Sequence, residues 1–216
     1  MVDPAALGVY VVTSAAFGPR RDHGVVARAA IEGGATAVQL RAPDVDDDRL
    51  LPLASELAAA CREAGVLFVV NDRLQVALDS GAAGVHLGQR DDPGDARPRL
   101  GAGRVLGISV EGVGEALSAE RTGADYLGVT VWTTPTKPEA HALGLEGLAE
   151  VVAAVAIPVV GIGGISASNA RLVLEAGAAG VAVISAVAAA PDPVAATRTL
   201  ARLVERFREG HGSVRR

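Results

Sequence analysis

Cysteine occurs once, at Cys61, so the chain can form neither an intramolecular disulfide nor a thiolate metal cluster. Aromatic residues are scarce as well, at 3% of the chain, and a hydrophobic fraction of 50% must therefore build its core mainly from Ala, Val and Leu. Positive charge is in deficit: 20 Lys and Arg against 25 Asp and Glu leave a net charge of −5 and a pI near 5.4. That balance removes the electrostatic case for nucleic acid or an anionic membrane as partner. The N-terminus lacks a basic segment followed by an apolar one, so no signal peptide is expected, and a reducing cytoplasm suits the composition. The longest charge-free run, 151–170, contains Pro158 and three glycines and ends "SASN". It reads as a helix end, a short buried strand and a loop, not as a membrane span.

What is present is repetition. "EGGATAVQL", "DSGAAGVHL", "RTGADYLGV" and "EAGAAGVAV" each join a polar helix tail to an apolar strand through a Gly-Ala break. Their glycines, Gly34, Gly81, Gly123 and Gly177, are 47, 42 and 54 residues apart, the length of two βα units per step. Further apolar runs lie between them: "VYVVT" (9–13), "LFVVN" (67–71), "RVLGIS" (104–109) and "IPVVGIGG" (157–164). Helices are expected near 22–33, 47–64, 73–80, 94–100, 112–122, 144–156, 168–176 and 192–209, with N-caps at Ser168 and Asp192 and Gly ends at Gly65 and Gly177. Continuous apolar strands belong to a parallel sheet buried on both faces. Eight such strands alternating with eight helices predict a single α/β domain, a (β/α)8 TIM barrel over residues 1–216, with an ordered core of about 8–209 and a frayed tail at 210–216. A doubly wound open sheet is the runner-up.

In such a barrel the chemistry sits at the C-terminal ends of the strands. Strand 2 ends in "VQLR", where Gln39 and Arg41 lie two apart and face the same way. Strand 3 ends in Asn71-Asp72, and strand 4 runs through "HLGQRDD" to Asp91. Two carboxylates on neighbouring strand ends, with no histidine-rich or thiol surroundings, suit a hard cation, Mg²⁺, held against substrate phosphates. Ser109 closes strand 5 as a hydroxyl donor. Thr134, Thr136 and Lys137 make the loop after strand 6 hydroxyl-rich and cationic, which suits phosphate oxygens. "GIGGI" after strand 7 and "VISA" after strand 8 occupy the usual phosphate cradle of this fold, where glycines permit close backbone approach. His86 reads either as a hydrogen-bonded core residue or as a catalytic one, and Trp132 either as a wall for a planar ring or as packing. His23, His141 and His211 lie in polar segments and read as solvated. Two anion sites, one of them metal-bound, point to a transferase joining two phosphorylated substrates.

The set "VQLR", "VVND", "GVHLGQRD", "GIS", "DYLGV", "TPTKPEA", "GLEGL", "GIGGI" and "VISA", in this order over residues 8–205, resembles the thiamine-phosphate synthase family. The resemblance implies an enzyme, an Mg²⁺-dependent transferase that couples hydroxymethylpyrimidine diphosphate to thiazole phosphate and releases pyrophosphate. It implies that Asp72 and Asp91 bind Mg²⁺, and that Gln39, Arg41, Asn71, Ser109 and Lys137 hold the pyrimidine diphosphate, with Arg41, Ser109 and Lys137 catalytic. Thr134, Thr136, Gly164, Ile184 and Ser185 would hold the thiazole phosphate. The expected partners are these two small molecules, with neither nucleic acid nor membrane; a homo-oligomer is left open. One position departs from the family's "VQLREK": Pro43 stands where a lysine is usual, and Arg90 is the nearest replacement by strand order. The thiazole tautomerase paralogue is the closest alternative, but it carries a histidine after the strand 5 serine where this chain has "GISVEG". A non-catalytic barrel binding thiamine intermediates is a further alternative, supported by Pro43 alone.

Overall fold

Eight parallel strands close on themselves in sequence order: β1 (Val9–Val12), β2 (Ala37–Leu40), β3 (Leu67–Asn71), β4 (Gly84–Leu87), β5 (Val105–Val110), β6 (Tyr126–Thr130), β7 (Val159–Ile162) and β8 (Gly180–Val183), with β8 pairing back onto β1. The computed structural model describes residues 2–18, 22–88, 93–134 and 141–212. Helices α1 (His23–Glu32), α2 (Asp47–Glu63), α3 (Leu74–Asp79), α4 (Pro93–Leu100), α5 (Val113–Arg121), α6 (Gly144–Ala154) and α7 (Ala170–Glu175) follow the first seven strands. A single turn, α8 (Ser185–Ala188), and the long α9 (Pro193–Gly212) follow the eighth. This is the expected TIM barrel. The tail expected at 210–216 falls beyond the described residues from 213 onward. No helix among the described residues is long and apolar enough to cross a membrane.

Two apolar shells hold the barrel. The larger lies between strands and helices and takes alternate strand residues such as Val11, Val38, Val70 and Val85, against Val26, Leu57, Cys61 and Leu148 from the helices. Cys61 is fully buried, and burial pushes its thiol up to about 12, so at neutral pH it is a small hydrophobe and not a nucleophile. The smaller shell fills the barrel: Tyr10, Val12, Ala37, Val69, Tyr126, Val160 and Ala182 point inward, and Leu7 and Val2 belong to the same cluster.

The period of two along each strand assigns the inward face without ambiguity. On β1, Tyr10 and Val12 face in; their neighbours in register are Ala37 and Gln39 on β2. Asn71 sits beside His86, His86 beside Gly107, and Ser109 beside Gly128. The inward set thus turns polar toward the C-terminal ends of the strands. One helix start differs from the sequence expectation. Helix α7 begins after Asn169, not Ser168, because Asn169 is the residue held by the preceding loop: it accepts from the Ser166 N–H at 2.8 Å and donates to the Gly164 carbonyl at 2.9 Å. Asp192 does cap α9, accepting from the Ala195 N–H at 3.0 Å.

Candidate active site

A cavity open to solvent occupies the C-terminal mouth of the barrel. Gln39, Arg41, Asn71 and Ser109 line it from β2, β3 and β5, and Thr134, Gly164, Ile184 and Ser185 line it from the β6 to β8 side. Strand closure therefore brings the described members of both expected sets to one space. Lys137, Thr136, Asp91 and Arg90 lie outside the described residues.

Arg41 is placed by a small polar hinge. Its N–H donates to the Thr13 hydroxyl at 3.1 Å, and Thr13, fully buried, lies 3.0 Å from His23 Nδ1. Because Thr13 Oγ accepts from Arg41, its own proton is available to His23. His23 is thus half-buried and partnered, not solvated as its polar neighbourhood suggested. Burial lowers its pKa below the ordinary histidine value, with Asp22 pulling the other way. His141 is exposed, as expected.

Asp72 sits at the end of β3 in the left-handed region, φ 61°, where a non-glycine residue is unusual and aspartate is among those that tolerate it. Two bonds hold it there. Its N–H donates to the His86 carbonyl at 2.8 Å, and its Oδ1 accepts from the Gly88 N–H at 3.0 Å. One carboxylate oxygen is thus fixed and the group is exposed. A hard oxygen donor so held fits Mg²⁺, which takes one or two carboxylates and completes its shell with water and phosphate. Among the described residues no cluster of three His, Cys, Asp or Glu offers a self-sufficient metal site. The loop carrying Pro43 is braced by Arg73, whose guanidinium pairs with Asp47 and donates to the Pro43 carbonyl at 3.0 Å. Arg73 is therefore committed to holding the loop.

On the opposite wall, Gly163 and Gly164 have φ 94° and 64°. A Cβ at Gly163 would lie 2.5 Å from the Trp132 carbonyl oxygen, and one at Gly164 would lie 3.2 Å from Trp132 Cβ. The loop after β7 can run this close to the β6 loop only as glycine. Trp132 is half-buried against the core and lies beside that loop. Ser185 opens α8 with its side chain exposed, and the first-turn N–H groups of any helix lack intrahelical acceptors.

Below these groups runs a buried polar chain. Gln39 Nε2 donates to the Tyr10 hydroxyl at 2.8 Å, the Tyr10 and Tyr126 hydroxyls lie 2.8 Å apart, Tyr126 lies 2.9 Å from His86 Nδ1, and His86 Nε2 lies 2.9 Å from Ser109 Oγ. His86 is thus buried and hydrogen-bonded at both ring nitrogens, and it also lines the cavity. The sequence reading missed both tyrosines. Tyrosine occurs only twice in the chain, each time on a strand, and a buried phenol needs a partner for its hydroxyl; that was the available signal.

The model of the family described as thiamine monophosphate synthase matches residues 9–187. A thiamine-phosphate synthase of Chloroflexus aurantiacus is 48% identical over 198 residues, covering 91% of this chain and 92% of its own. One from Moorella thermoacetica is 46% identical over 203 residues, covering 93% and 97%. The solved thiamine phosphate pyrophosphorylase from Pyrococcus furiosus superposes with a TM-score of 0.87 at 41% identity, over 94% of this chain and 98% of that one. A 3-hexulose-6-phosphate synthase, at 16% identity and a TM-score of 0.69, shares the fold alone. With most of its length matched by the family model and by these relatives, the chain belongs to the thiamine monophosphate synthase family.

Proposed function

We propose that the chain joins hydroxymethylpyrimidine diphosphate to thiazole phosphate, forming thiamine phosphate and releasing pyrophosphate. The observation that carries this reading is the single mouth cavity shared by two chemically different walls. One wall has a guanidinium, two carboxamides and a hydroxyl from Arg41, Gln39, Asn71 and Ser109. The other has a glycine loop with Thr134, Ile184 and Ser185. The first set suits a diphosphate on a nitrogen heterocycle, the second a smaller phosphate held by backbone and hydroxyl groups.

In the reaction the bond from the pyrimidine methylene carbon to the diphosphate oxygen breaks first, and its electron pair leaves with pyrophosphate. The thiazole nitrogen then gives its lone pair to that carbon. No proton has to be removed from the attacking nitrogen, so the protein needs no general base. What the transition state demands is stabilisation of negative charge on the leaving group. Arg41 and Lys137 carry that role, and Ser109 orients the pyrimidine. Mg²⁺, held by Asp72 and Asp91, would neutralise charge on the diphosphate oxygens. The glycine loop and Ser185 hold the thiazole phosphate so that its nitrogen faces the same carbon. A cytoplasmic location goes with this reading.

The test is direct. Protein incubated with Mg²⁺ and both substrates should yield thiamine phosphate and pyrophosphate in equal amounts, and neither when one substrate is omitted. Isomerisation of the thiazole phosphate alone, or tight binding without pyrophosphate release, would replace this reading with the tautomerase or the non-catalytic alternative.

A further inference from the structure

The chain Gln39–Tyr10–Tyr126–His86–Ser109 crosses the barrel interior and ends at both sides on residues of the cavity wall. Its direction follows from its first member. An amide nitrogen only donates, so the Tyr10 oxygen accepts from Gln39. Among the described residues Tyr10 lies within hydrogen-bond distance of one further group, the Tyr126 hydroxyl, so its proton goes there. Tyr126 then accepts from Tyr10 and sends its own proton to His86 Nδ1. An imidazole that accepts at Nδ1 is neutral and carries its proton on Nε2, which donates to Ser109 Oγ. Ser109 has accepted its bond from within the protein, so its hydroxyl proton is left to face the cavity. With Gln39 Nε2 turned toward Tyr10, the reverse assignment leaves the buried Tyr10 proton without an acceptor, and an unmade buried hydrogen bond is costly; only turning the Gln39 carboxamide over would reverse the chain. Burial raises both phenols well above their ordinary range, Tyr10 in spite of its bonds to Tyr126 and Gln39, so both remain O–H donors at any working pH.

We infer that Tyr10, Tyr126 and His86 are positioning residues that fix Ser109 as a one-way hydroxyl donor to the substrate, with Gln39 setting the direction. The same polarity spends a Gln39 amide proton inward and leaves its carbonyl oxygen available as an acceptor. A wall with a fixed donor at one end of the chain and an acceptor at the other suits an aminopyrimidine, which carries acceptor ring nitrogens and a donor amine. This assignment rests on the proposed function for the identity of the substrate, but its core is a property of the protein without ligand.

Nitrogen-15 NMR of imidazole-labelled protein, without ligand, tests that core. The His86 signal, identified by its loss in His86→Gln, should show a protonated Nε2 and a bare, hydrogen-bonded Nδ1. A proton on Nδ1 would overturn the inference outright. Tyr126→Phe removes one oxygen from the chain and should let both neutral tautomers appear; an unchanged His86 spectrum in that variant would also overturn it. Turnover supplies the second arm. Tyr126→Phe should slow pyrophosphate release about three- to tenfold, the worth of one neutral hydrogen bond, and should have no further effect in a Ser109→Ala background. Additive losses would mean that Tyr126 acts as packing and not through Ser109. If the unmodified protein forms no thiamine phosphate while the tautomer is as stated, the proposed function fails and the relay stands.

Discussion

Replacing Gly107 by alanine puts a methyl group where Tyr126 already lies: a Cβ there falls 2.2 Å from the ring Cζ and 2.4 Å from the phenolic oxygen. Non-bonded carbons rest at about 3.5–4.0 Å, so the ring must retreat by more than an ångström. It has nowhere easy to go, because Tyr126 is fully buried and its ring centroid lies 6.0 Å from that of Tyr10 and 5.4 Å from that of His86. Overpacking of this kind costs about 1–3 kcal/mol. A shift of that size also breaks the 2.8 Å and 2.9 Å bonds to Tyr10 and His86, each worth about 0.5–1.5 kcal/mol. The expected loss for Gly107→Ala is therefore about 2–6 kcal/mol, read as a lower denaturant midpoint with an unchanged slope. Tyr126→Leu removes the atoms that collide, so in that background Gly107→Ala should cost at least about 1 kcal/mol less. Equal costs in the two backgrounds, or a cost within the roughly 0.5 kcal/mol of an ordinary surface change, would refute the reasoning.

Asp72→Asn should keep the fold, since asparagine tolerates the same left-handed backbone and can still accept from the Gly88 N–H. Its turnover should fall and its Mg²⁺ requirement rise; an Mg²⁺ titration like that of the unmodified protein would remove Asp72 from the metal. Ser185→Asp sets a negative charge on the glycine-loop side of the cavity and should abolish thiazole phosphate binding while pyrimidine diphosphate still binds; calorimetry showing equal loss of both would mean the two walls are wrongly assigned. His23 supplies a pH test. Its pKa is lowered in the folded state, so the unfolded chain takes up its proton more readily. Its contribution is intact above the ordinary value of about 6.5 and is lost as pH falls through that value toward the lower folded one. His23→Gln should flatten that stretch of the stability–pH curve measured by denaturant unfolding, and an unaltered slope would show that another group titrates.

The barrel was legible because its strands are buried on both faces and its helix ends are marked. Runs such as "YVV" and "FVV" have no polar alternation to confuse with a surface sheet, and the four Gly-Ala breaks recur at the length of a double βα unit. What escaped was short or local. Helix α8 is four residues of small side chains running straight off β8, too few for any helical period to register. The cap of α7 went to Asn169 and not Ser168 because a carboxamide can donate and accept at once, and the loop before it needs both.

The site divides along the same line. Gln39, Arg41, Asn71 and Ser109 could be found because polar residues at the ends of apolar strands are conspicuous, and barrel topology says which way those ends face. Tyr10 could not be found that way. On β1 it stands between valines and reads as packing; its hydroxyl gains meaning only when closure sets it 2.8 Å from a residue 116 positions away. His23 was misjudged for a related reason, since its polar sequence neighbours hide Thr13, which comes from the strand before it. A hydrogen-bond chain that crosses a barrel has no period and no spacing, so no sequence window contains it. It does leave a compositional trace. In a chain with two tyrosines, both on buried strands, each phenol must find a partner inside. The inward-facing polar groups on the described strands are few and include Gln39, Asn71, His86, Ser109 and the two phenols themselves. Counting donors and acceptors on the inward face, once the strand period is known, narrows the pairing, and the Gln39 amide that donates to Tyr10 then makes Ser109 a donor.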